Sequence, residues 1–401
     1  MNYLFAVASA FLTLNSALAH AADQPPSKSG EKTAPLTQKK TTPEKSKTAP
    51  QAPSTKSLMG GVYGVFSEIL PLSVSIQKFS AKENSATIER GLQKLEKISD
   101  ELVAHTKDIE FDYIGSNFKQ DIKDMNSAWK SGRTREAQFI FRNLSTNCIS
   151  CHTREEATSD SSQPKLFTKV NQKGLSTIEL AELKTAIREF SEALDLYEQA
   201  LSPKEFSLQS PVLMEGYIVD YMIVALKVKS DVARVIKTLT LLGFDPSVPF
   251  SLRMNIGKWV ALLKDYRAED IKSVADTEKL ISKGKTLSSF PLDSAGVVAN
   301  ILGAKHLQFI LSHNKLSSSD QAEAYYLLGI SELSINRPLQ VSKANFFLEK
   351  AIRTAPDSLF AQNAYTSLES NIYYQNSGSL GVYVPSSDLK KLSELKKLIK
   401  K

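Results

Sequence analysis

Both cysteines of this 401-residue chain stand three residues apart, in the stretch NCISCHTR at 147–154, and His152 follows the second directly. They also end an apolar series. Ala137, Phe141, Leu144, Cys148 and Cys151 recur in steps of three and four, the turn of an α-helix. This feature constrains the fold more than any other. Cys148, Cys151 and His152 must share one face of one helix, and that face must be covered by neighbouring elements.

The pattern Cys-x-x-Cys-His reads as a c-type haem attachment site. Cys148 and Cys151 would each add a sulfur across a haem vinyl group, and His152 would bind the iron as proximal ligand, giving one covalent haem c. Three blander readings stand beside it. A thioredoxin-type pair wants a strand–helix–strand context, and the flanks here read as helical. A structural zinc site wants four ligands, usually from two separated pairs, and the chain has no other cysteine. A disulfide would close only a tiny loop. Haem is the preferred reading.

Haem is attached to such motifs outside the bacterial cytoplasm, so an export signal should precede them. Residues 1–21 fit one. An apolar stretch from Tyr3 to Leu14 leads to the small-residue sites Ala17-Leu18-Ala19 and Ala19-His20-Ala21. The departure is an n-region without Lys or Arg. The stretch is too short to be a good membrane span, and no other segment approaches that length. A soluble periplasmic protein is expected.

Residues 22–57 are rich in Pro, Lys, Thr and Ser and read as a disordered linker that cannot bury enough surface to order itself. Seven lysines there against Asp23, Glu31 and Glu44 supply +4 of the chain's +7. The basic balance is therefore largely a linker property, with weak contact to an anionic membrane or peptidoglycan as the sharper option. No nucleic-acid partner is expected.

Residues 58–155 offer four helical patterns. The first carries Met59, Tyr63, Phe66 and Leu70, with Pro71 placed to kink or split it. The second follows the cap candidates Asn84 and Ser85 and carries Ile88, Leu92, Leu95, Ile98 and Leu102. The third carries Phe111, Ile114, Phe118, Ile122, Met125 and Trp129 and ends at Gly132; the fourth has Thr134 as its cap. Short connections favour an up-down-up-down four-helix bundle. Over residues 58–154 this segment resembles the class II c-type cytochromes, the cytochrome c-prime group. That resemblance implies a four-helix bundle with the haem motif on its last helix. The family often has an Arg a few residues beyond the haem histidine; here the nearest is Arg154, two residues on.

In such a bundle the start of the first helix, the turn between the second and third, and the end of the fourth share one end. Met59 and His105 fall there; Met125 falls toward the other. The resemblance implies either a Met near the start of the first helix as sixth iron ligand or an open site. Met59 leads as sixth ligand, since a thioether suits low-spin iron. An open or water-filled position comes second and His105 third. Met59 could equally be a core gap-filler. Tyr63, Phe66 and Phe111 are expected near the pocket, and Gly60, Gly61 and Gly64 either admit the porphyrin or mark a frayed helix start.

Residues 156–167 read as a second linker, and 168–377 as an α-helical domain with no convincing strand. AYYLLGISELSINRPLQVSKANFFLEKAIRTAPDS resembles a tetratricopeptide repeat: Tyr325, Leu328 and Gly329 match its first helix and Ala344, Leu348, Ala351 and Pro356 its second. The turn is about three residues longer than usual, and Glu332 stands where an aromatic is common. ALDLYEQALSP is a poorer echo. An irregular solenoid that binds proteins is implied. His306 and His313, seven apart, read as solvated or core-edge histidines. In the tail, 378–401, Leu389, Leu392, Leu395 and Ile399 line one side of a basic helix, either a docked cap or a surface for a membrane or an acidic partner.

The expected fold class is all-α: a haem-binding bundle followed by a repeat-like helical domain. One-electron transfer is the leading role, with a redox partner protein met through the helical domain. A haem-based gas or redox sensor is the alternative, and an interaction scaffold with structural haem the third. No nucleophile–base or acid pair marks an enzyme.

Overall fold

The computed structural model describes residues 53–105, 109–153, 174–202, 211–288, 293–335, 343–379 and 381–399. Expectations for 1–21, for the linker up to 52 and for 156–167 lie outside them. Residues 53–401 form one compact unit. Among the described residues sixteen α-helices carry almost all regular structure.

The first region is built from α1 (Thr55–Ser73), a single turn α2 (Ile76–Phe79), α3 (Lys82–His105), α4 (Ile109–Lys130) and α5 (Thr134–His152). The four long helices bury a common core that includes Leu58, Val65, Ile69, Leu92, Leu95, Phe118, Ile122, Phe141 and Leu144. Their directions follow from cross-contacts. A Cβ on Gly61 would lie 2.8 Å from Ile98 Cδ1, and one on Gly91 2.5 Å from Ile69 Cδ1, so α1 and α3 run antiparallel. Asn126 Nδ2 donates to Glu96 at 3.0 Å and Trp129 Nε1 to Glu89 at 3.5 Å, which reverses α4 on α3. Gly132, at φ +72, turns the chain into α5; glycine enters this left-handed region without a Cβ penalty. Gln138 Nε2 donates to the Ser73 carbonyl at 2.7 Å, and the Phe66 and Phe141 rings stack at 4.9 Å.

Several local expectations are corrected. Pro71 sits in the last turn of α1, which ends two residues later. Residues 55–57 already form the helix's first turn, capped by the Ser54 hydroxyl. Gly60, Gly61 and Gly64 therefore lie inside a helix rather than at a frayed start. The buried face of α1 is wider than its sequence stripe and includes Leu58, Val62, Val65 and Ile69. Asn84 does not cap α3: α3 begins at Lys82, and the Asn84 amide donates to the Lys78 carbonyl at the end of α2. Arg133, not Thr134, is the N-cap of α5.

The second region holds α6 (Thr177–Ala186), α7 (Phe190–Ala200), α8 (Pro211–Met222) running into a π-helical segment (Ile223–Val228), α9 (Val232–Phe244) and α10 (Phe250–Asp265). It continues with α11 (Val274–Leu287), α12 (Val297–His313), α13 (Ser318–Ser334), α14 (Ala344–Thr354), α15 (Leu359–Gln375) and α16 (Ser386–Leu398). Most helices adjacent in sequence pack together, whereas α10 packs on α12 rather than on α11. One apolar cluster runs from Ile178 to Phe347; a second joins α14, α15 and α16. Two strands of two residues, β1 (Ser377–Gly378) and β2 (Gly381–Val382), pair antiparallel where the sequence suggested none; Gly381 at φ +114 makes the turn possible. The tail helix is docked, with Leu392 and Leu395 buried against α14 and α15 and Lys391 paired with Glu349 at 3.1 Å. No helix among the described residues is long and apolar enough to cross a membrane.

Candidate functional site

The last two turns of α5 carry Cys148, Cys151 and His152 on one face, as their spacing requires. Both thiols are half-buried and neither belongs to a disulfide. The Cys148 thiol points back along the helix toward the Leu144 carbonyl, 3.7 Å away. Burial, with Cys151 next to it, pushes this thiol up to about 12. A thiol held neutral by burial is a poor nucleophile.

His152 is held from outside the bundle. Its Nδ1 lies 2.6 Å from the carbonyl oxygen of Ala186, at the end of α6. A carbonyl only accepts, so Nδ1 carries the proton and Nε2 keeps its lone pair. Burial drives the imidazole down to about 4, against the Ala186 hydrogen bond, so the ring is neutral at pH 7. A neutral imidazole with its second nitrogen tied to a carbonyl is the arrangement that orients a histidine toward a metal.

The turn that supplies this carbonyl is itself braced. Arg188 adopts φ +65, and Lys184 pairs with Glu189 at 2.5 Å and with Glu192 at 2.8 Å. Arg142 of α5 is ion-paired with Glu179 of α6, and Glu179 also completes the capping box of Ser176. Tyr63 of α1 packs on Leu183 of α6, so three elements meet at this end of the bundle. The sequence hid this turn. Residues 175–201 read as one periodic helical run without Gly or Pro after Gly174, and nothing in them signals the reversal at Arg188.

Met59 packs on the bundle core from the first turns of α1 and is half-buried. The antiparallel pairs Phe66–Phe141 and Ser73–Gln138 set the register of α1 on α5. Phe66 is buried in the core. His105 closes α3, and its side chain, like that of Phe111 and the whole of Arg154, lies outside the described residues.

The other histidines go separate ways. His306 Nε2 meets the Tyr266 hydroxyl at 2.6 Å, whereas His313 Nδ1 contacts the Phe309 carbonyl at 3.0 Å and stacks on that ring. Among the described residues no group of three or more His, Cys, Asp or Glu side chains converges as a metal site. Cys148, Cys151 and His152 lie along a helix edge instead, a disposition suited to a flat group that meets each at a different atom. Comparison of the chain with protein-family models, with curated proteins and with solved structures found no match in any of the three.

Proposed function

We propose that the chain is an exported, periplasmic monohaem c-type cytochrome that carries one electron at a time, with its helical second region meeting a redox partner protein. The observation that carries this reading is the Cys148–Cys151–His152 face of α5 together with the Ala186 carbonyl on His152 Nδ1. The donor set fits the group: two thiols for the thioether bonds and a neutral imidazole with Nε2 directed by its other nitrogen. When bound, the haem supplies a reversible one-electron couple.

The chain's own residues do the rest. Cys148 and Cys151 fix the group to α5, and the carbonyl of Ala186 holds the ring of His152. Met59, in the first turns of α1, is the candidate sixth ligand. On this reading residues 58–155 form a cytochrome c-prime-like bundle. On the same reading α13 and α14 form the repeat-like pair, and the close approach at Gly329, whose Cβ would stand 2.7 Å from Leu348, supports it.

The test is optical spectroscopy on protein matured in a periplasm that attaches haem. A covalent haem with a sharp reduced α-band indifferent to CO is expected, and Met59→Ala should then make the iron CO-reactive. A broad spectrum that shifts with CO would transfer the role to gas sensing. Absence of covalent haem would sink both and return Cys148 and Cys151 to thiol chemistry.

A further inference from the structure

The hairpin of α9 and α10 has an outward face unlike an ordinary surface helix. Its inner stripe is regular: Val235, Leu239 and Leu242 on α9 and Leu252, Ile256 and Trp259 on α10 are buried. The opposite stripe should then be charged. On α9 it reads Lys237, Leu241, Phe244; on α10 it reads Phe250, Met254, Gly257, Ala261. Phe244 is 82% exposed, Phe250 70%, Leu241 68% and Met254 52%. Nothing stands within 4 Å of where a Gly257 Cβ would be. Four large apolar side chains thus gather on the last turns of α9 and the first turns of α10, joined by the short connection 245–249. A cluster of this kind at one end of a hairpin marks an interaction surface.

Charge selects the partner. From 232 to 264 the only carboxylate is Asp245, which is buried and accepts from the Ser247 amide at 2.8 Å. The same span holds Arg234, Lys237, Arg253, Lys258 and Lys264. Arg234 is paired with Glu198 and Asp195. Lys237 lies on the exposed apolar stripe one turn from Leu241, and the Arg253 guanidinium sits 6.0 Å over the Phe250 ring. Apolar tips beside cations whose stems can lie along apolar surface fit the boundary between acyl chains and anionic headgroups.

We infer that the turn end of the α9–α10 hairpin docks on an anionic lipid bilayer, with Leu241, Phe244, Phe250 and Met254 in the acyl boundary and Lys237 and Arg253 at headgroup level. This surface shares no residue with the Cys148–His152 motif or with the docked tail helix, and it holds whether or not haem is bound.

The experiment is co-flotation of the full chain with phosphatidylcholine vesicles containing one-third phosphatidylglycerol. Wild type should float with these vesicles and more weakly with phosphatidylcholine alone. The double variant F244S/F250S should retain its fold by circular dichroism and lose roughly tenfold or more in partitioning. Phe250→Trp should shift its emission to the blue on vesicles and be quenched by brominated acyl chains. Failure of wild type to float, unchanged partitioning of F244S/F250S, or F250W emission blind to the acyl quencher would each overturn the inference. So would a wild-type dimer in sedimentation equilibrium that F244S/F250S dissociates, because a second copy would then cover the face.

Discussion

The two regions hold their helices together by different means. In the bundle, helices meet through side chains, even at Gly61 and Gly91, which face the ends of Ile98 and Ile69, with polar ties such as Asn126–Glu96, Asn147–Asp121 and Gln138–Ser73 locking the register. In the second region backbones come close. Cβ atoms of Gly284 and Ala299 would stand 2.4 Å apart if Gly284 carried one, and a Cβ on Gly296 would meet the Gly284 carbonyl at 2.8 Å. A Cβ on Gly303 would press on Ile281 at 2.7 Å. Side-chain contacts such as those at Gly61, Gly91 and Gly303 tolerate local change because side-chain ends can move; the contact of Gly284 with Gly296 and Ala299 does not, because the obstacle there is backbone or Cβ.

The largest expected contrast lies at glycine. Gly284→Val should cost about 3 kcal/mol or more, since α11 and α12 must separate to admit it. Gly60→Ala, inside α1 with nothing within 4 Å of its Cβ, should stabilise by about 0.5–1 kcal/mol through helix propensity. Urea unfolding of both variants checks the pair. Comparable losses at the two sites would break the distinction between close-backbone and side-chain packing.

A smaller contrast lies in the ion pairs. Arg234 donates from Nε to Glu198 at 2.6 Å and from its terminal nitrogen to Asp195 at 2.5 Å, and Tyr221 and Thr238 add hydrogen bonds to Glu198. Arg234→Met leaves Glu198 without its cation in a partly buried setting and should cost about 1–3 kcal/mol. In the bundle, Lys119–Asp100 at 2.7 Å is more open than Arg234–Glu198 and lacks its added hydrogen bonds, and Asp100→Asn should stay within about 0.5 kcal/mol. Thermal unfolding midpoints of both variants would show it; equal shifts would mean that burial does not separate these pairs.

Much of the bundle was legible because its face repeats in steps of three and four over long stretches. Ile88, Leu92, Leu95, Ile98, Phe118, Ile122 and Met125 are all buried where the pattern puts them. The shared face of Cys148, Cys151 and His152 was legible because the three fall within five residues of one helical pattern. Features that depend on tertiary partners were not. The Ala186 carbonyl reaches His152 only because the chain reverses at Arg188, a residue with no intrinsic preference for positive φ. The π-helical segment Ile223–Val228 is buried along its whole length, including Lys227, and reads in sequence as ordinary apolar helix. Gly284 and Gly296 look like mild helix-breakers until the opposite backbone is seen.

The smallest contrast is in acid titration, and here the two regions should differ in sign. In the bundle, burial raises the Asp121 carboxyl, an effect that the hydrogen bond from Asn147 only partly offsets. A raised folded value means that the unfolded chain releases this proton first, so the group subtracts stability as pH climbs through and above the ordinary carboxylate range. In the second region, burial also acts to raise Glu198, but hydrogen bonds from Arg234 and Tyr221 outweigh it and the carboxyl is held low. That group adds stability above its ordinary value and loses it as pH falls through the depressed one. Asp121→Asn should therefore gain stability relative to wild type as pH rises from 3 to 6 (roughly the carboxylate window), and its amide oxygen can still accept from Asn147. Glu198→Gln should lose relative to wild type over the same rise. Urea midpoints across that window measure both slopes. Parallel slopes would show that burial, not the Arg234 contact, governs Glu198, and would remove the electrostatic half of the comparison between the two regions.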